Sequence, residues 1–219
     1  AEFHVGVGDL AAQLLAHLVH DVNVHTGDIG AVVIFKGGEV GVGVHRDGAA
    51  LGGLADELEK SGCKLRLGPD YLEGLDQDVI FRTPGLHPKY LEAARARGSE
   101  ITSEMEVFFR VCPCPVIAVT GSDGKTTTTT MIAKLLEAAG HTVHLGGNIG
   151  RPLLSEADSI QAEDWAVVEL SSFQLMTMRQ SPSIAVLTNL APNHLDIHTD
   201  MAEYVEAKAA VLAYQSREN

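Results

Sequence analysis

Cysteine is scarce, with three in 219 residues. An odd, small number does not build a disulfide framework. Two of the three stand at Cys112-Pro113-Cys114, one residue short of a Cys-x-x-Cys pair, so no metal or redox role is assigned to them. Basic residues are also few: 16 Lys and Arg against 29 Asp and Glu give a net charge of −13. Binding to a nucleic-acid backbone needs clustered cations, and this balance argues against it. No apolar run approaches the length of a membrane-spanning helix, so no membrane role is expected. The opening residues Ala-Glu-Phe-His-Val-Gly show neither a basic n-region nor an apolar signal core. The expected compartment is the cytoplasm. There is no internal repeat and no low-complexity tract. What remains is an ordinary globular composition, 45% hydrophobic and 21% charged, long enough for one large domain or two small ones.

Short apolar runs alternate with helical patterns, the signature of a parallel α/β sheet. A strand at Phe3–Val7, the turn Gly6-x-Gly8-x-x-Ala11 and a helix through Leu18 open the chain. A second strand is expected at Val22–His25. Residues 27–53 are glycine-rich and give no assignable element. A helix at 54–60 follows, then strands at 64–67 and 78–82, the turn Thr83-Pro84-Gly85, and a helix at 88–97 closed by Gly98. The two prolines in Val111–Pro115 mark a domain boundary. Beyond it come strand 116–120, helix 125–139 stopped by Gly140, and strands at 143–145, 165–170 and 184–189. A last helix is capped by Asp200, with Glu203 as its capping-box partner.

The strongest chemical signal is Thr120-Gly121-Ser122-Asp123-Gly124-Lys125-Thr126-Thr127, after a strand and opening a helix. Backbone N–H groups of such a loop, with the helix N-terminus, cradle phosphate. The lysine adds positive charge, and the hydroxyl after it ligates Mg2+. The first glycine of the usual pattern is replaced by Val119, which leaves a glycine turn with a solvated lysine as the plainer alternative. Glu169 ends an apolar strand, where ligands of parallel sheets bind. It suits Mg2+ beside a triphosphate, or else a rim carboxylate bonded to Ser171 or Ser172. A polar cluster, Thr188-Asn189-Leu-Ala-Pro-Asn193-His194-Leu-Asp196-Ile-His198, follows another strand. At about 100° per residue, Lys208 falls among Tyr204, Val205 and Leu212 on the last helix. It either snorkels or is desolvated with a lowered pKa.

These segments, taken in order, resemble the Mur ligase family. The matching text is 120–127, Gly-Asn-Ile-Gly (147–150), Val-Glu-Leu-Ser-Ser-Phe-Gln-Leu (168–175), Thr-Asn-Leu-Ala-Pro-Asn-His-Leu-Asp (188–196) and Glu-Tyr-Val-Glu-Ala-Lys (203–208). The Glu-Leu-Ser-Ser-Phe-Gln segment separates the D-glutamate-adding branch from its relatives. The resemblance implies an ATP-dependent ligase that joins D-glutamate to UDP-N-acetylmuramoyl-L-alanine through an acyl phosphate, in peptidoglycan synthesis. A related Mur or folylpolyglutamate-type ligase, or a nucleotide-binding fragment without catalysis, is the alternative.

The resemblance also assigns roles. Gly121, Ser122, Asp123, Gly124, Lys125, Thr126 and Thr127 would hold ATP. Thr126, Glu169, His194 and Lys208 would hold one or two Mg2+ ions, Lys208 as a carbamate. Lys125, His194 and Lys208 would be catalytic. Asn148 would contact the phosphoryl acceptor region, Ser171 and Gln174 would lie near the muramoyl substrate, and Thr83 and Gly85 would also bind substrate. Position 193 is Asn where the family usually has Asp, and residues 24–53 match nothing in it. The implied fold is α/β: a Rossmann-like UDP-binding domain at 1–112, then part of a P-loop-type, parallel-sheet ATP-binding domain at 113–219. On this expectation the chain stops inside the central domain, ahead of the family's third, and is inactive alone.

Overall fold

A computed structural model describes residues 31–37, 39–45, 53–192 and 198–216. The elements expected before residue 26, with the Gly6-x-Gly8-x-x-Ala11 turn, lie outside them. The chain forms two compact units, Ala1–Glu104 and Met105–Asn219.

In the first unit, the glycine-rich stretch is a hairpin. Strand β1 (Ala31–Lys36) pairs antiparallel with β2 (Glu39–Val44). Helix α1 (Gly53–Lys60) leads to β3 (Lys64–Leu67), and β4 (Val79–Arg82) follows. The expected helix at 88–97 is two pieces, a 3-10 turn at Pro88–Leu91 and α2 (Glu92–Ala96). His87 starts the turn by accepting from Lys89 N at 3.1 Å. A short strand, β5 (Glu100–Thr102), completes a sheet ordered β3-β2-β1-β4-β5. The sheet is mixed: β1 runs antiparallel to both neighbours, while β2–β3 and β4–β5 are parallel. Val32 and Ile34 pack with Tyr71, Leu75, Ile80 and Leu91 to form this unit's core. Glycine stands in β2 because space demands it: a Cβ on Gly43 would lie 2.9 Å from Val32 Cγ2. Glycine is rare in strands, and here it hides the strand's pattern.

The second unit holds α3 (Glu104–Val111), β6 (Val116–Thr120), α4 (Lys125–Ala138), β7 (Val143–Gly147), β8 (Trp165–Glu169), α5 (Ser172–Leu175), β9 (Ile184–Leu187) and α6 (Met201–Ala213). Its sheet, ordered β7-β8-β6-β9, is parallel throughout. Successive residues of β6 face opposite layers. Val116 and Ala118 pack with Met105, Phe108, Leu170 and Val211, while Ile117 and Val167 pack under Ala133 of α4. Coverage on both faces explains the near-continuous apolar runs. The division of the chain falls after Glu104, the first residue of α3, rather than in the Val111–Pro115 link, because Met105 and Phe108 share a core with Val116.

Helix α6 departs from expectation in two ways. Asp200 caps it by accepting from Glu203 N at 2.9 Å, but the Glu203 carboxylate accepts from Thr199 N at 2.7 Å, so the reciprocal arm of a capping box is absent. The buried face carries Tyr204, Ala207, Lys208 and Val211, whereas Val205 and Leu212 are 37% and 46% exposed. Alanines at 202, 207, 209, 210 and 213 make the helix apolar on several sides, so a wheel alone does not orient it.

Candidate functional site

Parallel connectivity puts the carboxyl ends of β6, β8 and β9 at one edge of the second sheet, where ligands of such sheets bind. Past Thr120 the chain turns through Gly121 to Gly124 into α4. Gly121 has φ 149°, and a Cβ there would sit 1.9 Å from Thr188 Oγ1; only glycine fits. The first-turn amides of a helix have no intrahelical acceptor and carry its positive dipole end. The loop and α4 thus form an anion cradle. Lys125 Nζ donates to Ser122 O at 3.0 Å, which lays the cation along the loop.

Three segments converge beside it. Thr126 Oγ1 donates to Glu169 Oε2 at 2.7 Å, and Asn148 Nδ2 donates to Glu169 Oε1 at 2.9 Å. Asn148 N also donates to Glu169 O at 2.8 Å. Glu169 is 2% exposed, and its carboxylate accepts from these side chains rather than from Ser171 or Ser172. Among the described residues, no group of three or more His, Cys, Asp and Glu gathers around a metal position. A hydroxyl and a carboxylate at hydrogen-bond distance are a hard-oxygen donor set. That set fits Mg2+, which commonly takes one or two carboxylates together with substrate phosphates.

Lys208 does not snorkel. It is 2% exposed, donates to Gly121 O at 2.9 Å and Thr120 Oγ1 at 3.2 Å, and lies 4.8 Å from the centre of the Tyr204 ring. Burial pushes its pKa down to about 8, with the Lys125 charge adding to the effect and Glu169 opposing it.

The other expected residues divide. Asp123, Gly124 and Thr127 lie exposed at the loop and the start of α4. The Ser122 side chain turns inward, 2.8 Å from Tyr204 Oη, and accepts from Ala191 N at 2.8 Å. Ser171 and Gln174 form a capping box on α5, Ser171 N donating to Gln174 Oε1 at 2.9 Å and Gln174 N to Ser171 Oγ at 3.2 Å. Thr83 belongs to the first unit. Its hydroxyl accepts from Ala31 N at 2.9 Å and donates to Ala31 O at 3.2 Å. Gly85 follows in the same turn. His194, with Asn193 and Asp196, lies outside the described residues. Residue-by-residue reading gave no site role to Thr120, Thr188, Asn189 or Tyr204, all of which bind the loop or Lys208. For Thr188 and Asn189 the signal was a polar pair directly after β9, for Thr120 its place at the head of the loop motif, and for Tyr204 its place beside Lys208 on the last helix.

A parallel sheet whose inner strand runs through a glycine loop and a lysine into a helix, beside a buried strand-end carboxylate, defines a P-loop-type α/β domain. Residues 119–219 match the Mur ligase middle domain, and this part of the chain belongs to the Mur ligase family. It is 54% identical, over 74% of its length, to a UDP-N-acetylmuramoylalanine–D-glutamate ligase of Ruminiclostridium cellulolyticum. It is 51% identical, over 79%, to the ligase of the same name from Acetivibrio thermocellus. The matches span 35% and 38% of those two relatives. A solved UDP-N-acetylmuramoyl-L-alanyl-D-glutamate–2,6-diaminopimelate ligase is 26% identical over 57% of this chain and 35% of that one, with a TM-score of 0.42. No helix among the described residues is long and apolar enough to cross a membrane.

Proposed function

We propose that the chain is the substrate-binding and nucleotide-binding part of a ligase that joins D-glutamate to UDP-N-acetylmuramoyl-L-alanine at the expense of ATP, in the cytoplasm, during peptidoglycan synthesis. The observation that carries it is the meeting of Thr126, Asn148 and Glu169 at the mouth of the anion cradle. The names of the relatives at 54% and 51% identity support the choice of D-glutamate. ATP supplies the phosphoryl group that makes the substrate carboxylate a good electrophile, and Mg2+ offsets the charge on that group.

The chain's own residues do the positioning. Amides from Gly124 to Thr127, with Lys125, hold the β- and γ-phosphates where a charge-assisted contact is strong. Thr126 and Glu169 would hold the metal, with His194 as the further ligand that the family resemblance implies. Asn148, fixed on Glu169, faces the phosphoryl acceptor. The buried Lys208, in its neutral form, would add CO2 through its amine nitrogen, lose one of the nitrogen's protons to solvent, and stand as a carbamate, a further anion of the site. Ser171 and Gln174 border the muramoyl side, and the first unit, with Thr83 and Gly85, takes the UDP moiety.

Titration calorimetry discriminates this reading from its alternatives. The chain is expected to bind UDP-N-acetylmuramoyl-L-alanine, with the dipeptide-bearing UDP-muramoyl compound and a folylglutamate at least tenfold weaker. Preference for either of those ligands would give the chain to another branch of the family. Binding of ATP but none of the three would leave a nucleotide module.

A further inference from the structure

We propose that Asn189 is a positioning residue of the phosphate loop, its side-chain amide acting as a built-in acceptor that fixes the loop open for a triphosphate. This rests on the reading that the loop takes ATP. Strand β9 ends at Leu187, and the next two residues reach across to the loop. Asn189 Oδ1 accepts from Ser122 N at 3.1 Å and from Asp123 N at 2.9 Å. Its Nδ2 donates to Asp123 O at 3.2 Å, and its backbone oxygen shares the Ser122 N–H at 3.1 Å. Thr188 Oγ1 adds a bond to Asp123 O at 2.7 Å. Chemistry fixes the amide's orientation: flipped, its NH2 would face two N–H donors and its oxygen a carbonyl.

Two successive backbone N–H groups converging on one oxygen form the concave donor pair that otherwise collects an anion. Asn189 fills that pair at Ser122 and Asp123, so a triphosphate meets the amides further on, from Gly124 into α4. A four-residue loop with two glycines loses much backbone freedom when it orders. Ordering it before the ligand arrives removes that cost from binding. The neutrality of the side chain matters equally. A carboxylate would also satisfy both N–H groups, but it would set a negative charge beside the phosphates and turn the Nδ2 position into an acceptor facing Asp123 O.

The test measures affinity for MgATP and for magnesium tripolyphosphate, a probe that carries only the phosphates. Wild type, Asn189→Leu, Asn189→Asp and Lys125→Ala are compared, with urea unfolding of each. Asn189→Leu is expected to lose about tenfold for both ligands, about 1.4 kcal/mol. Asn189→Asp is expected to lose more than Asn189→Leu at low salt and to recover toward it as salt rises, because only a charge is screened. The Asp variant keeps the acceptor and serves if the Leu variant fails to fold. Lys125→Ala is the control for the underlying reading: no loss there brings down the triphosphate site itself. Loss in Lys125→Ala with wild-type affinity in both Asn189 variants overturns the role of Asn189 alone. Equal, salt-independent losses in the two variants also overturn it, since a residue beside the phosphates must respond to charge.

Discussion

Two strand ends in this chain carry buried polar groups, and they are used differently. After β4, Thr83 turns its hydroxyl onto Ala31, accepting from one backbone atom and donating to another. The group is 1% exposed, and its hydrogen bonding closes on the first residue of a neighbouring strand. At the end of β8, Glu169 is as deeply buried, but its oxygens collect side chains from two other segments, Thr126 and Asn148. Both satisfy the rule that buried polar atoms find partners. A polar group bonded to backbone holds a fold together. One that gathers side chains at the carboxyl end of a parallel sheet can exchange those partners for a ligand.

Breaking each end should therefore give different losses. The largest effect belongs to the cradle: Lys125→Ala removes a charge-assisted contact worth about 1.5–3 kcal/mol, roughly ten- to a hundredfold in ATP affinity, with little change in folding. Calorimetric titration checks it, and wild-type affinity would sink the assignment. Thr83→Val should do the reverse. It leaves Ala31 N–H without that acceptor, costs about 1–3 kcal/mol of stability and leaves ATP affinity unchanged. Urea denaturation of the two proteins, read beside an ATP titration, separates the effects.

Lys208 gives a pH signature. Its ammonium is disfavoured by burial, so the folded pKa of about 8 lies below the ordinary 10.5. The unfolded chain therefore binds the extra proton between those values. Below about 8 the full cost of the buried charge is present; it is relieved as pH rises toward 10.5. Relative to Lys208→Met, wild-type stability should climb by at most about 1.4 kcal/mol per pH unit across that window. A flat difference would return Lys208 to an exposed, ordinary lysine. Asp200→Ala, at the cap of α6, should cost the second unit about 1 kcal/mol, seen as a lower urea midpoint.

The same contrast explains what the sequence made legible. The loop from Gly121 to Thr126 is contiguous, and its spacing carries its chemistry. Glu169 was legible because a carboxylate at the end of an apolar run has few structural uses. The hydrogen bonding of Thr83 and Asn189 was not, because their partners lie 52 and 67 residues away, at Ala31 and Ser122. The β1–β2 hairpin was hidden by glycines that pack against Val32 and Ile34. Lys208 was correctly placed on a buried face, but Val205 and Leu212 were not, because alanine on several sides of α6 leaves the wheel without a clear axis. Local spacing survives in a sequence, whereas long-range closure of polar groups does not.

On the proposed function, Glu169 and Thr126 form the metal side of a triphosphate site. Its most direct test is the Mg2+ dependence of ATP affinity in wild type and Glu169→Gln, measured by calorimetry with and without the metal. Mg2+ is expected to tighten ATP binding to wild type by about tenfold or more, the order of one hydrogen bond to a charged group. The Gln variant should bind metal-free ATP at least as well as wild type and gain little from Mg2+. The same Mg2+ enhancement in both proteins would contradict it.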